Sequence, residues 1–294
     1  MKAVSIMVNG GLVSLRAMLD QLKPSERKVA DYILAHPEDV VKLSVQKLAE
    51  LSGVSEATII RLARSLHMKG FQELKLRIAG DLNKQTAAAG SYQEIMMEGT
   101  TASIMQAVSW NNIQSIQDTI SVLSTEEVER AAEALSRARK IDIYGVGASA
   151  VIAADVKQKF SRINLWCDAY SDFHAQLTSA VSLTEQDVAF GISYSGQTED
   201  VIQSLSEAKQ QGATIITLTK FGSSPVSDLA DIRLYTSSVE KSIRSGAMAS
   251  RIAQLNVIDI LFITMISRRQ ADVIPALEKT RLAVSRTKRS GERQ

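Results

Sequence analysis

From residue 11 to about 85 the apolar positions recur at helical spacing, and no stretch alternates as a strand does. Lys23-Pro24-Ser25-Glu26 opens a helix that the pattern carries to about Ala35, where His36-Pro37 stops it. After Ser44 as N-cap, Val45, Leu48, Ala49 and Leu51 form the apolar face of a short helix. Gly53 supplies the positive φ of a sharp turn, and Val54 fills the crook. Ser55 then caps a second helix whose inward positions are Ile59, Leu62, Ala63 and Leu66. A tight turn at His67-Met68-Lys69-Gly70-Phe71 leads into a further amphipathic helix over 72–81. The pattern predicts a helix-turn-helix over about 45–64.

The rhythm then changes. A small, polar stretch between about 84 and 103 reads as a linker, and a long helical stretch follows. Ser124-Thr125-Glu126-Glu127 is a capping box for a helix ending near Lys140. Beyond it short apolar strands alternate with helices. Strands are expected at 141–144, 188–192, 214–218 and 232–235, with helices running to about Ser161 and Gln211. Such alternation predicts a mostly parallel sheet flanked by helices, with ligands at the carboxyl ends of the strands. The organisation is therefore an all-α helix-turn-helix domain at 11–88, a linker at 89–109, an α/β domain at 131–271 and a basic tail at 272–294.

Composition and charge narrow the function. A formal charge of +2 over 294 residues means that any affinity for DNA rests on local patches. From Ser55 to Arg77 there are five Lys/Arg against two acids, a surplus that suits a phosphate backbone. On the second helix Glu56, Thr58, Arg61 and Arg64 are expected to face outward within reach of bases or phosphates. A solvated helix face can carry the same residues. His67 reads as a turn or phosphate-contacting residue, since no second metal ligand stands at helical spacing. The longest apolar runs, such as 257–266 with Asp259 inside, fall short of the roughly 20 residues that span a bilayer. The N-terminus carries no clear signal-peptide pattern, and the expected location is cytoplasmic. Cys167, the single cysteine, reads as a buried small hydrophobe rather than a nucleophile.

Two loops at strand ends hold the remaining chemistry. Gly145-Val146-Gly147-Ala148-Ser149 starts like a dinucleotide fingerprint, but Ala150 stands where the third glycine belongs. Ser193-Tyr194-Ser195-Gly196-Gln197-Thr198 offers three hydroxyls just before a helix N-terminus. There amides and hydroxyls can converge on a small anion such as a phosphate monoester. The same residues also suffice merely to cap the helix and shape the turn. An aldose-ketose isomerase would need a base beside the carbonyl; Glu199, Asp200 and His174 are the nearest in sequence, and Glu199 is the best placed.

These motifs carry a family resemblance. Pro24-Ser25-Glu26-Arg27-Lys28, the 44–64 segment and Lys69-Gly70-Phe71 resemble the helix-turn-helix of RpiR-type transcriptional regulators. The 145–149 and 192–198 loops resemble the sugar isomerase (SIS) domain, a phosphosugar-binding module. Together, in that order, they cover nearly the whole chain. The resemblance implies a DNA-binding regulator, probing double-stranded operator DNA with Ser55, Glu56, Thr58, Arg61, Arg64 and Lys69. It implies that Ser193, Ser195 and Thr198 hold a sugar phosphate, with Gly147 and Ser149 facing the sugar. Arg244, in Ser242-Ile243-Arg244-Ser245-Gly246, is expected to reach the ligand or a neighbouring subunit. Within the family the chain is most similar to regulators of amino-sugar use that answer to N-acetylmuramic acid 6-phosphate. It implies a homodimer or homotetramer, with no cofactor, no metal, no catalytic residue and no membrane partner. The expected role is a non-enzymatic, ligand-released repressor of a sugar or amino-sugar operon, the alternative being a phosphosugar isomerase with an accessory helical domain.

Overall fold

The computed structural model describes residues 10–85, 99–238 and 247–291. The chain divides into two compact units, one reaching residue 122 and including 237–250, the other comprising 123–236 and the chain from 251 onward.

The first unit is helical. It contains α1 (Gly11–Met18), α2 (Pro24–Ala35), α3 (Pro37–Val40), α4 (Val45–Ser52), α5 (Glu56–Ser65), α6 (Phe71–Gln85) and α7 (Thr101–Val122). Leu15, Val29, Ile33, Leu48, Ile59, Leu62, Leu74 and Ile78 are wholly buried. Each such side chain contributes about 1.5–3 kcal/mol through burial. Two contacts of long sequence separation tie α1 to α6. The buried Asp81 carboxylate caps α1, accepting from the Gly10 N–H at 2.7 Å and the Leu12 N–H at 2.8 Å. Gly11 lets the two backbones meet, since a Cβ there would stand 2.8 Å from the Ile78 nitrogen. The expected linker needs correction at its end: Thr101 already begins α7, so 101–109 is helical, while 89–98 lies outside the described residues.

The second unit begins with α8 (Thr125–Arg137) and builds its sheet from β1 (Ile141–Tyr144), β2 (Cys167–Tyr170), β3 (Val188–Ile192), β4 (Thr214–Lys220) and β5 (Ile232–Thr236). Between the strands run α9 (Ala148–Ser161), α10 (Phe173–Ala180), α11 (Glu199–Gln210) and α12 (Pro225–Asp228); α13 (Met248–Arg268) and α14 (Gln270–Gly291) follow. All four strand pairings are parallel, in the order β2-β1-β3-β4-β5. Alternate strand residues sort to opposite faces. Ile141, Ile143, Val188, Phe190, Ile216 and Leu218 pack with Val128 of α8, Ile152 of α9 and Val257 of α13. Tyr144, Ala189 and Ile215 pack with Ala180, Val201, Leu205 and Val226 on the other side.

Several boundaries differ from the sequence expectation. β2 was not anticipated: Cys-Asp-Ala-Tyr is short, of mixed polarity and only half-buried at the sheet edge. Ser124 caps α8 through the Glu127 N–H at 3.3 Å, but the Glu127 carboxylate turns to Arg130 and to the Arg233 N–H instead of closing the box. The α/β unit starts before 131, because α8 already supplies Val128 to its core, and 237–250 groups with the helical unit. Residues 272–291 continue a helix whose Val273 joins the sheet core, so this segment is not a mere tail. By length and composition α13 is long and apolar enough to cross a membrane, contrary to the count of uninterrupted apolar residues. Its Val257, Ile258, Leu261 and Met265 are buried in the sheet core, which accounts for that composition. Cys167 is buried, and burial pushes its thiol up, away from thiolate reactivity.

One ion pair clamps the amino ends of β1 and β3. Arg139 holds Asp187 through two hydrogen bonds, Nε to Oδ1 at 2.9 Å and Nη2 to Oδ2 at 2.6 Å. Burial alone would raise the Asp187 carboxyl, but Arg139 and Thr184 outweigh it and hold the group below its ordinary value. The unfolded chain therefore takes up this proton first as pH falls. The stabilisation is complete above the ordinary aspartate value and is lost as pH drops through the lower folded value. Asp187→Asn is expected to lower the urea midpoint at neutral pH, with the gap to the wild type narrowing as pH falls below the ordinary aspartate value of about 4. A gap independent of pH would assign the loss to packing alone.

Candidate functional site

The helix-turn-helix is held by three local devices. Ser44 Oγ accepts from the Lys47 N–H at 3.1 Å to start α4. Gly53, at φ +66°, ends it, with Val54 N–H returning to the Ala49 carbonyl at 3.0 Å. A Cβ at Gly53 would meet open space, so backbone conformation and not crowding calls for glycine. Ser55 Oγ then accepts from the Thr58 N–H at 3.3 Å and starts α5.

Ile59, Leu62, Ala63 and Leu66 turn inward, while Glu56, Arg61 and Arg64 are exposed. Two expectations need correction. Leu51 is 44% exposed and does not belong to the α4 core face. Thr58 is only 4% exposed, because it lies on the flank of α5 that closes against its own cap. Its hydroxyl pairs with Ser55 Oγ at 3.0 Å and accepts from Arg61 Nη2 at 3.1 Å. Thr58 thus supports Arg61, and the exposed Ser55 is engaged as a cap. The net surplus of three stands, but two of its cations are engaged within the domain. Lys75 Nζ donates to the Leu43 carbonyl at 2.8 Å, and Arg77 pairs with Glu73 at 2.8 Å. Burial would raise the Glu73 carboxyl, but the Lys69 N–H and Arg77 hold it below the ordinary range. Arg61, Arg64 and Lys69 remain exposed on this surface.

In the second unit the loops after β1 and β3 leave neighbouring strands, with Tyr144 opposite Gly191 in the register. The chain turns from β1 toward β2 on one side and from β3 toward β4 on the other. That divergence opens the crevice in which doubly wound sheets bind ligands. In the first loop Gly147 has φ +58° and ψ −124°, a conformation essentially confined to glycine. Gly145 is equally required, since a Cβ there would lie 2.8 Å from the Ser149 carbonyl oxygen. Ser149 is buried at the start of α9.

The second loop is a network of hydroxyls. Ser193 is 2% exposed, and its Oγ accepts from the Gly196 N–H at 3.1 Å and pairs with Thr198 Oγ1 at 2.9 Å. Ser195 is exposed, its Oγ accepting from the Gln197 N–H at 3.2 Å. Thr198 is the N-cap residue of α11, yet its hydroxyl makes no capping bond. The first-turn amides of α11 therefore retain donors for an anion at this positive helix end. Gly196, at φ +67°, packs so closely on Ser224 that a Cβ would stand 2.1 Å from Ser224 Oγ. The Val226 N–H donates to the Gly196 carbonyl at 3.1 Å, pinning the loop to the turn after β4. Ser224 was not anticipated: Ser224-Pro225 signals a helix start, but nothing local to it announces Gly196 as neighbour. Glu199 Oε1 accepts from Gln203 at 2.8 Å, and His174 is exposed on α10. Arg244 lies outside the described residues.

Comparison with known proteins agrees with this two-part architecture. Residues 9–85 match the helix-turn-helix domain of the rpiR family, and residues 134–264 match the SIS domain. An uncharacterised HTH-type transcriptional regulator of Caldanaerobacter subterraneus is 50% identical over 277 residues, covering 94% of this chain and 98% of that protein. The uncharacterised HTH-type regulator YbbH of Bacillus subtilis is 41% identical over 279 residues, covering 95% and 98%. Among solved structures, the Vibrio vulnificus NanR protein complexed with ManNAc-6P is 26% identical, with a TM-score of 0.60 over 94% of this chain and 98% of that one. With its capped, glycine-turned helix pair preceding a five-stranded parallel α/β unit, the chain belongs to the rpiR family of HTH-type transcriptional regulators and carries a SIS domain.

Proposed function

We propose that the chain is a repressor of an amino-sugar catabolic operon, released from its operator by a phosphosugar. The observation that carries this reading is the β3–α11 loop, where Ser195, Thr198 and a helix N-terminus flank the sheet's switch point in a chain that also holds a helix-turn-helix. The ligand class follows from the NanR complex with ManNAc-6P: an N-acetylated amino-sugar 6-phosphate, N-acetylmuramic acid 6-phosphate being one such compound. Ser195 and Thr198 hold the phosphate, Ser193 shapes the loop around it, and Gly147 and Ser149 face the sugar.

Two copies place their α5 helices in successive major grooves, about 34–36 Å apart, on a near-palindromic site. Arg61, Arg64 and Glu56 face the bases, and Lys69 faces a phosphate. The phosphosugar favours the conformer in which the two helices are mis-spaced, since a ligand shifts an equilibrium only by its differential affinity. The protein works beside DNA in the cytoplasm and turns over no substrate. Its relatives bear the name of regulators, which supports this reading.

A gel shift on the DNA upstream of its own gene and on the neighbouring promoter tests the reading. Retarded DNA, freed by an amino-sugar 6-phosphate and not by the unphosphorylated sugar, is expected. An unshifted probe, with the phosphosugar consumed in the same tube, would replace this reading with an isomerase.

A further inference from the structure

We propose that Ala57 and Ile60 of α5 form an apolar reading strip for the C5-methyl groups of thymine, beside the purine edges taken by Arg61 and Arg64. This rests on the DNA-binding reading above and adds the chemistry of the bases read.

The strip follows from helical geometry and exposure together. Residues 57, 60, 61 and 64 stand at i, i+3, i+4 and i+7, which places them on one face of α5. All four are exposed, Ile60 at 37%. Ile60 stands outside the buried core, which takes Ile59, Leu62 and Ala63 from the same helix at 0% exposure. One exposed isoleucine is unremarkable on an ordinary surface. Here it shares a stripe with an exposed alanine and two arginines on the second helix of a helix-turn-helix. In the major groove the thymine methyl is the apolar group that such side chains match.

The arginines fix the context. The Ser55–Thr58–Arg61 hydrogen-bond chain draws the Arg61 guanidinium toward the start of α5, the end of a recognition helix that meets base edges. Arg61 therefore sits beside Ala57 and Ile60, and the half-site contains thymine next to guanine.

The test uses the full-length protein and the DNA fragment it retains, from its own upstream region or from a random pool. Each thymine is replaced singly by deoxyuridine, which removes the methyl group and nothing else. In the wild type, at least one replacement in each half-site is expected to weaken binding about fourfold, the value for loss of one buried methyl group. Ile60→Ala is expected to weaken binding to the unmodified site by a similar factor and to be indifferent to that replacement. A melting temperature close to that of the wild type checks that this variant keeps its fold, and Ile60→Val gives an intermediate loss. Wild-type binding unchanged by every replacement, or the same further loss in Ile60→Ala as in the wild type, overturns the proposal. A wild-type protein that retains no DNA overturns the underlying reading instead, so the two failures are distinct.

Discussion

Gly196→Ala is expected to abolish the response to phosphosugar and to lower the melting temperature of the SIS unit by on the order of 10 °C. Two independent costs meet at this residue. At φ +67° an alanine is held in the left-handed region, which costs about 1–2 kcal/mol. Its Cβ would stand 2.1 Å from Ser224 Oγ, and relieving such overlap costs about 1–3 kcal/mol more. The loop can escape only by moving away from Ser224, which breaks the Val226–Gly196 bond and carries Ser195 with it. Ser195→Ala separates the site from the fold. It removes an exposed hydroxyl, so stability should stay within about 0.5 kcal/mol, while phosphosugar affinity falls roughly tenfold to hundredfold. Calorimetry reads both quantities. Normal ligand affinity in Gly196→Ala would place the ligand elsewhere.

Arg61→Ala is expected to weaken operator binding by about 1–3 kcal/mol, the value of one bidentate contact to guanine. Its Nη2 is already tethered to Thr58, so part of the ordering cost of the side chain is met before DNA arrives. Lys69→Ala is expected to act differently. As a phosphate contact it should weaken all sequences alike and reduce the salt slope by about one. Anisotropy titrations on operator and unrelated DNA at several salt concentrations distinguish the two effects. If Arg61→Ala binds both DNAs as the wild type does, α5 is not the reading helix.

What the sequence disclosed and what it concealed divide along the range of the interactions. Ser44, Gly53 and Ser55 act within four residues of themselves, so the helix-turn-helix could be read directly from their spacing. The strands β1, β3 and β4 were legible because a parallel sheet covered on both faces makes them largely apolar, and β5 because Ile232, Leu234 and Tyr235 keep it so despite the exposed Arg233. β2 lacks that signature, since an edge strand of Cys-Asp-Ala-Tyr is only half covered. The contacts of Asp81 with Gly10 and of Gly196 with Ser224 join residues far apart in sequence, and no local pattern encodes them. Helical periodicity put Thr58 on the outer face because it cannot tell a flank from a front. Ile60 was assigned to neither face, and only its exposure in the folded helix sets it beside Arg61 and Arg64.

The two halves of the molecule are joined by one testable relation: the phosphosugar must change the affinity for DNA, and DNA must change the affinity for the phosphosugar by the same factor. The most direct measurement is operator affinity by anisotropy, with and without a saturating N-acetylated amino-sugar 6-phosphate, in the wild type and in Ser195→Ala. A weakening of about 5-fold to 150-fold in the wild type is expected. At the same ligand concentration it should be largely lost in Ser195→Ala and absent with the unphosphorylated sugar. Equal action by the unphosphorylated sugar, or a full response in Ser195→Ala, would contradict phosphate-gated control through this loop.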